Sequence, residues 1–184
     1  MGVSRINGSC QAGHTLLELL VVLAIVAVLA VMMAPFLTSS LQDNRLTSQI
    51  NQLHGSLQFA RVEAIKRGTA ITVCASTDGA LCGGNWQDGW IVLAGTTLIR
   101  SSPALTGNNT LKFQLTTGGT SANVRFNARG FSPDHAGTWT LCDSRAAAAA
   151  KGLLLSATGR PLRATDTNGN GTPEDHNGAD LTCP

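Results

Sequence analysis

Leu19 to Ala34 is sixteen positions without a polar or charged side chain. With Leu16, Leu17, Phe36 and Leu37 at its flanks it reaches the about 20 residues that cross a bilayer. One ionisable residue, Glu18, lies just inside this stretch. An unpaired carboxylate in hydrocarbon is costly, so such a residue needs a partner or a function. The segment before it holds Arg5 and no acidic residue, which keeps the N-terminus cytoplasmic and exports the C-terminal part of the chain. A cleaved secretory signal carries a small-residue site after its apolar run, and "MMAPFLTSS" makes a poor one. A plain signal anchor leaves Glu18 without a purpose.

The 184 residues suffice for one domain and an appendage. Charged residues are 13% and Tyr is absent, so Ser, Thr, Asn and Gly must cover much of the surface. That composition suits an exported β-rich domain better than a highly charged cytosolic enzyme. A net charge of +2 implies no nucleic-acid or membrane partner by itself. Once the leader with Cys10 is removed, Cys74, Cys82, Cys142 and Cys183 form an even set. Parity in an exported domain points to two disulfides over free buried thiols, and without a CxxC zinc is the least supported reading.

Beyond Pro35 the apolar positions Leu46, Ile50, Leu53, Leu57, Ala60 and Ala64 alternate steps of four and three, one face of an amphipathic helix. Lys66 and Arg67 suit its last turn and Gly68 its C-cap. His54 reads as a surface or packing residue. Seven short β-like runs come next, at 70–74, 89–93, 97–100, 111–115, 123–127, 138–142 and 152–156, separated by Gly, Asn, Pro and Ser. The expected class is α+β, a long N-terminal helix on an antiparallel sheet or pair of sheets. Trp86 and Trp90 read as packing residues.

"GHTLLELLVVLAIVAVLAVMMAP" resembles the class III signal of type IV pilins and type II secretion pseudopilins. The resemblance implies that prepilin peptidase cuts between Gly13 and His14, that the apolar segment is retained, and that Glu18 serves assembly by pairing with a neighbour's N-terminal amine. His14 stands where the family usually has Phe, which bears on its N-methylation. Pro35 falls where many pilins carry a helix-kinking proline. "LQFARVEAIKRG", "ITVCAS", "CGGNWQDGWIVL", "RFNARGFS", "TLCDSR" and "ATGRPLR" resemble the GspH/FimT branch. That resemblance implies bridges Cys74–Cys82 and Cys142–Cys183. The implied organisation is a leader (1–13), a transmembrane helix half (14–37), an amphipathic half (38–68) and a β-rich head (69–184).

Arg160 and Arg163 flank Pro161 in "GRPLR", and planar guanidinium groups suit phosphate contacts. In FimT-type minor pilins a C-terminal Gly-Arg-x-Arg element is associated with DNA binding; here the element is one residue longer. Lys151 and Arg145 extend the candidate patch, as do Arg125 and Arg129 if the fold brings them near. The competing reading is solvated arginines or a subunit contact, favoured by the nearby Asp166, Glu174, Asp175 and Asp180. Asp166, Asn168, Asn170 and Gly171 fall at the first, third, fifth and sixth places of an EF-hand loop, with Glu174 at the ninth. Asn177 at the twelfth lacks the bidentate carboxylate, so a plain Asn/Gly-rich turn competes with weak calcium binding. No other cofactor is expected. There is no GxSxG, Gly-rich phosphate loop or HExxH to suggest an enzyme.

The expected function is a minor pilin or pseudopilin. It would be anchored in the inner membrane with a periplasmic head and join other minor pilins at the tip or priming complex of a type IV pilus. Double-stranded DNA is a candidate partner in natural transformation. The alternative is a GspH-type pseudopilin of type II secretion.

Overall fold

The structure, a computed structural model, describes residues 15–183. Its chain divides into two compact units, Met1–Leu41 and Gln42–Pro184. The helix α1, Leu16–Arg67, contributes to both. Its opening turn is capped by Thr15, whose hydroxyl accepts the Glu18 amide at 3.2 Å, the arrangement favoured for a threonine just before a helix. In the first unit the side chains from Leu16 to Met33 are exposed. Leu23, Val26 and Leu29, for example, are each more than half exposed.

The second unit carries the core. Leu46, Leu53, Leu57, Ala60 and Ala64 are fully buried and Ile50 nearly so, all on the stripe expected from their spacing. At roughly 1.5–3 kcal/mol for burying each large aliphatic side chain, this stripe is a main anchor of the helix. Gly68 closes α1 with φ +62°, and its amide bonds to the Ile65 carbonyl. A left-handed residue at this place satisfies an end carbonyl, and glycine does so without steric cost.

Eight strands come after the helix among the described residues: β1 Ile71–Ala75, β2 Trp90–Ala94, β3 Thr97–Ser102, β4 Thr110–Leu115, β5 Asn123–Phe126, β6 Gly137–Cys142, β7 Lys151–Leu155 and β8 Pro161–Arg163. They form two four-stranded antiparallel sheets, ordered β3-β2-β1-β5 and β4-β6-β7-β8. The helix stripe joins one continuous core with Val73, Val92 and Phe126 of the first sheet and Phe113, Trp139 and Leu153 of the second. Alternation along β5 puts Val124 and Phe126 inward and leaves Asn123 and Arg125 exposed. Phe113 stacks on Trp139 at 3.9 Å between ring centroids, and Trp86 meets Trp139 edge-on at 5.4 Å. Trp86 and Trp90 are both buried, so each is a packing residue.

The second unit is also pinned by polar contacts that the sequence pattern did not announce. Buried Gln49 donates to the Thr106 carbonyl at 2.9 Å and accepts from Asn109 at 2.6 Å. Arg145 bridges Asp43 on α1, at 2.9 Å, and Asp143 after β6, at 2.7 Å. Every residue of the core cluster lies within the second unit.

Candidate functional site

The "ATGRPLR" segment forms the β7–β8 turn and the edge strand β8. Ser156 holds the turn from both sides: its amide donates to the Arg160 carbonyl at 3.1 Å and its hydroxyl accepts the Arg160 amide at 3.2 Å. At Gly159 φ is +75°, and a Cβ there would stand 2.0 Å from the Gly130 carbonyl oxygen. Two glycine turns therefore touch, and only a residue without a side chain fits this approach. The Ser132 amide donates to Ala157 at 3.0 Å and completes the contact. Gly130 in turn lies on α1, where a Cβ would meet Ile65 at 2.7 Å and the Arg61 stem at 3.1 Å.

β8 runs beside α1. Arg163 donates a hydrogen bond to the Asn51 side chain. The His54 ring lies 3.3 Å from both the Pro161 carbonyl and the Gln58 amide. Asn51, His54, Gln58, Arg61 and Ile65 advance by threes and fours and so share one helix stripe. From position 51 to 61 a helix rises about 15 Å. Along that length Arg163 and the half-buried Arg61 form a strip, with exposed Arg160 and Arg129 in the two touching turns at its end. Among the described residues the ion pairs lie elsewhere, joining Glu63 to Lys66 and Arg67 and Arg145 to Asp43 and Asp143. None of Arg61, Arg129, Arg160 and Arg163 has a carboxylate partner among the described residues.

The structure sorts the other cations. Lys151 alternates onto the same sheet face as Leu153, the register partner of Arg163, and carries no ion pair among the described residues. Arg145 is committed to two aspartates and does not belong to the strip. Burial pushes the Asp143 carboxyl up, but the hydrogen bonds from Arg145 outweigh it and hold the group below its ordinary value. Arg125 lies beyond Gly130, in a cleft with Phe131 and His135. Sequence reasoning missed the helix half of the strip, Asn51, His54 and Arg61, because a polar stripe is the ordinary exposed face of an amphipathic helix.

The acidic tail is occupied with its own backbone. Asp166 accepts the Gly169 and Gly171 amides, both at 2.7 Å, which keeps its carboxyl below the ordinary range, with Gly171 the larger cause. Glu174 is buried and accepts the Thr167 and Asn168 amides. The Asn168 and Asn170 side chains each accept the backbone amide two residues further on, and both direct their own amides to Asp180. These bonds build a self-supporting loop, and no cluster of three His, Cys, Asp or Glu suited to a metal stands among the described residues. Cys142–Cys183 ties this loop back to β6, and Cys74–Cys82 closes a short loop after β1.

Of the N-terminal candidates, Gly13 and His14 lie outside the described residues. Glu18 is exposed in the first turn of α1. Pro35 falls within the bounds of the same helix. By length and composition α1 can cross a membrane, with a mean hydropathy of 3.0 over its most apolar window.

A long helix that is apolar at its start and packed by its second half on antiparallel sheets is the architecture of the pilin class. The chain belongs to the family described as Type II transport protein GspH, whose model matches residues 49–159. The prokaryotic N-terminal methylation motif matches residues 8–34. Two crystal structures of the Pseudomonas aeruginosa (strain PAO1) type IV minor pilin FimU share the fold. One is 24% identical with a TM-score of 0.55, covering 67% of this chain and 91% of FimU. The other is 25% identical with a TM-score of 0.52, covering 65% and 93%. No curated protein matches the chain. Family and fold are those of structural pilins, not enzymes.

Proposed function

We propose that this pilin is a minor subunit at the tip or priming complex of a type IV pilus and that its strip of arginines contacts DNA. The observation that carries the DNA reading is Arg163 fixed on Asn51 of α1, with Arg61 on the same helix stripe and exposed Arg160 in the adjoining turn, none of them with a carboxylate partner among the described residues. Phosphate contacts need donors held in place, and the Arg163–Asn51 bond and the Gly159–Gly130 contact supply that. The likeness to a type IV minor pilin favours a pilus. The family description, a type II transport protein, favours the alternative of a secretion pseudopilin. Under either reading the chain is cut after Gly13, anchored in the inner membrane with its head in the periplasm, and assembled through Glu18.

The test is binding of the soluble second unit, Gln42–Pro184, to double-stranded DNA at two salt concentrations. This part contains the whole core and both disulfides. The expected result is affinity that falls steeply with salt. It should drop at least about tenfold in Arg160→Ala/Arg163→Ala, each lost charged contact being worth roughly 1 kcal/mol or more. A folded wild-type head that ignores DNA at low salt removes the DNA role and leaves pilus priming or type II secretion, to be separated by the pilin subunits it contacts.

A further inference from the structure

Where the arginine strip ends at Gly130, a cleft of about 470 Å³ opens, within the size range of small-molecule pockets, roughly 300–1,000 Å³. Its walls come from three elements: the helix exit at Gly68–Ala70, Arg125 and Asn127 at the end of β5, and the segment Phe131–His135. We infer that this cleft receives an unstacked nucleobase of a DNA strand whose phosphates lie on the arginine strip. The inference rests on the DNA reading above and adds a base-recognising site to it.

Four observations carry it. The cleft is not an anion site, because Arg125 is matched by Asp134 in the same wall and the carbonyl end of α1 disfavours negative charge. It offers donors and acceptors together: the Arg125 guanidinium, the Asp134 carboxylate and the His135 ring. Asn127 adds an amide, since its Oδ1 is taken by the Arg129 and Phe131 backbone while its Nδ2 has no partner among the described residues. Such a mixed set fits the edge of a base, which presents both kinds of group. Phe131, 41% exposed as a residue, lines the cleft, and an accessible aromatic side chain beside basic groups is the kind of platform on which bases stack.

The placement is also rigid and continuous with the strip. Phe131 is held at both backbone ends, donating to Asn127 Oδ1 at 3.1 Å and accepting the Asn127 amide at 2.9 Å. Ser132 donates its hydroxyl to the Arg125 carbonyl at 2.9 Å and its amide to Ala157. The same Ser132 bond and the Gly159 contact bind this loop to the turn that carries Arg160.

The experiment compares the head with two single strands of equal length, about 12 nucleotides each, one of thymidines and one wholly abasic, beside a blunt duplex. Both strands carry the same phosphates. The wild-type head should prefer the thymidine strand about tenfold, since a stacked base contributes roughly 1–3 kcal/mol. Phe131→Ala should erase that preference while leaving the salt dependence unchanged. Phe131→Leu, which keeps apolar volume but removes the π-face, should lose most of it; the near-UV signal of the buried tryptophans reports folding in each variant. Equal affinity for both strands in the wild type overturns the base site while the strip remains. So does a preference that neither Phe131 variant reduces. Absence of binding to any DNA overturns the strip reading and the base site together.

Discussion

Among single residues, the two touching glycines are the least replaceable positions of the candidate site. Gly159→Ala places a Cβ on the Gly130 carbonyl oxygen in a backbone region that alanine avoids. The expected loss is about 3 kcal/mol in chemical denaturation, together with weaker DNA binding; wild-type stability in that variant contradicts the close approach. Arg145→Ala leaves Asp143, whose side chain is 5% exposed, without its cation. A loss of about 1–3 kcal/mol is expected from breaking these charge-assisted bonds. Because the Asp143 carboxyl is held below its ordinary value, its contribution is present above pH about 4 and disappears as the pH falls through the folded value. The Arg145→Ala denaturation profile should therefore converge on wild type in strong acid. His135 behaves oppositely in origin: burial first, and Arg125 after it, hold its pKa below the ordinary imidazole value against the pull of Asp134. The folded state then binds its proton less readily than the unfolded chain. Stability should decline as pH falls below about 6.5, and His135→Gln should flatten that decline.

At the level of elements, the long helix and seven strands were legible because each obeys a simple period. The apolar stripe from Leu46 to Ala64 is the buried face of α1, and the β-like runs lie within a residue or two of β1 to β7. β8 was not legible. It has three residues, opens on Pro161 and occupies a sheet edge, where proline is tolerated because no ladder hydrogen bond is required of it. That strand is what lays Arg163 against Asn51, 112 residues apart in sequence, so the helix half of the strip could not be read from spacing. The disulfide pairing likewise came from resemblance rather than spacing. Cys142–Cys183 spans 41 residues and Cys74–Cys82 only 8. Replacing the first pair by serines should cost about 3 kcal/mol and the second less, since longer loops lose more entropy on closure. Equal costs in urea denaturation would show that strain or residual structure, not loop length, sets the balance.

Over the molecule as a whole, one sequence serves two solvents. The first unit exposes leucines and valines that water does not tolerate in such density but a bilayer or a bundle of like helices does. The second unit folds around its own core and carries the arginine strip. The proposed role requires that these parts stay joined in a processed filament subunit, with Glu18 near the new N-terminus to guide assembly. Glu18→Ala should reduce the amount of protein recovered in sheared filaments while leaving it in the membrane fraction. The decisive measurement is the intact mass of the chain recovered from those filaments. The expected species is a mature chain beginning at His14 and retaining its apolar helix, with all four head cysteines oxidised. A chain still beginning at Met1, or a head released by cleavage beyond Ala34, would overturn that role.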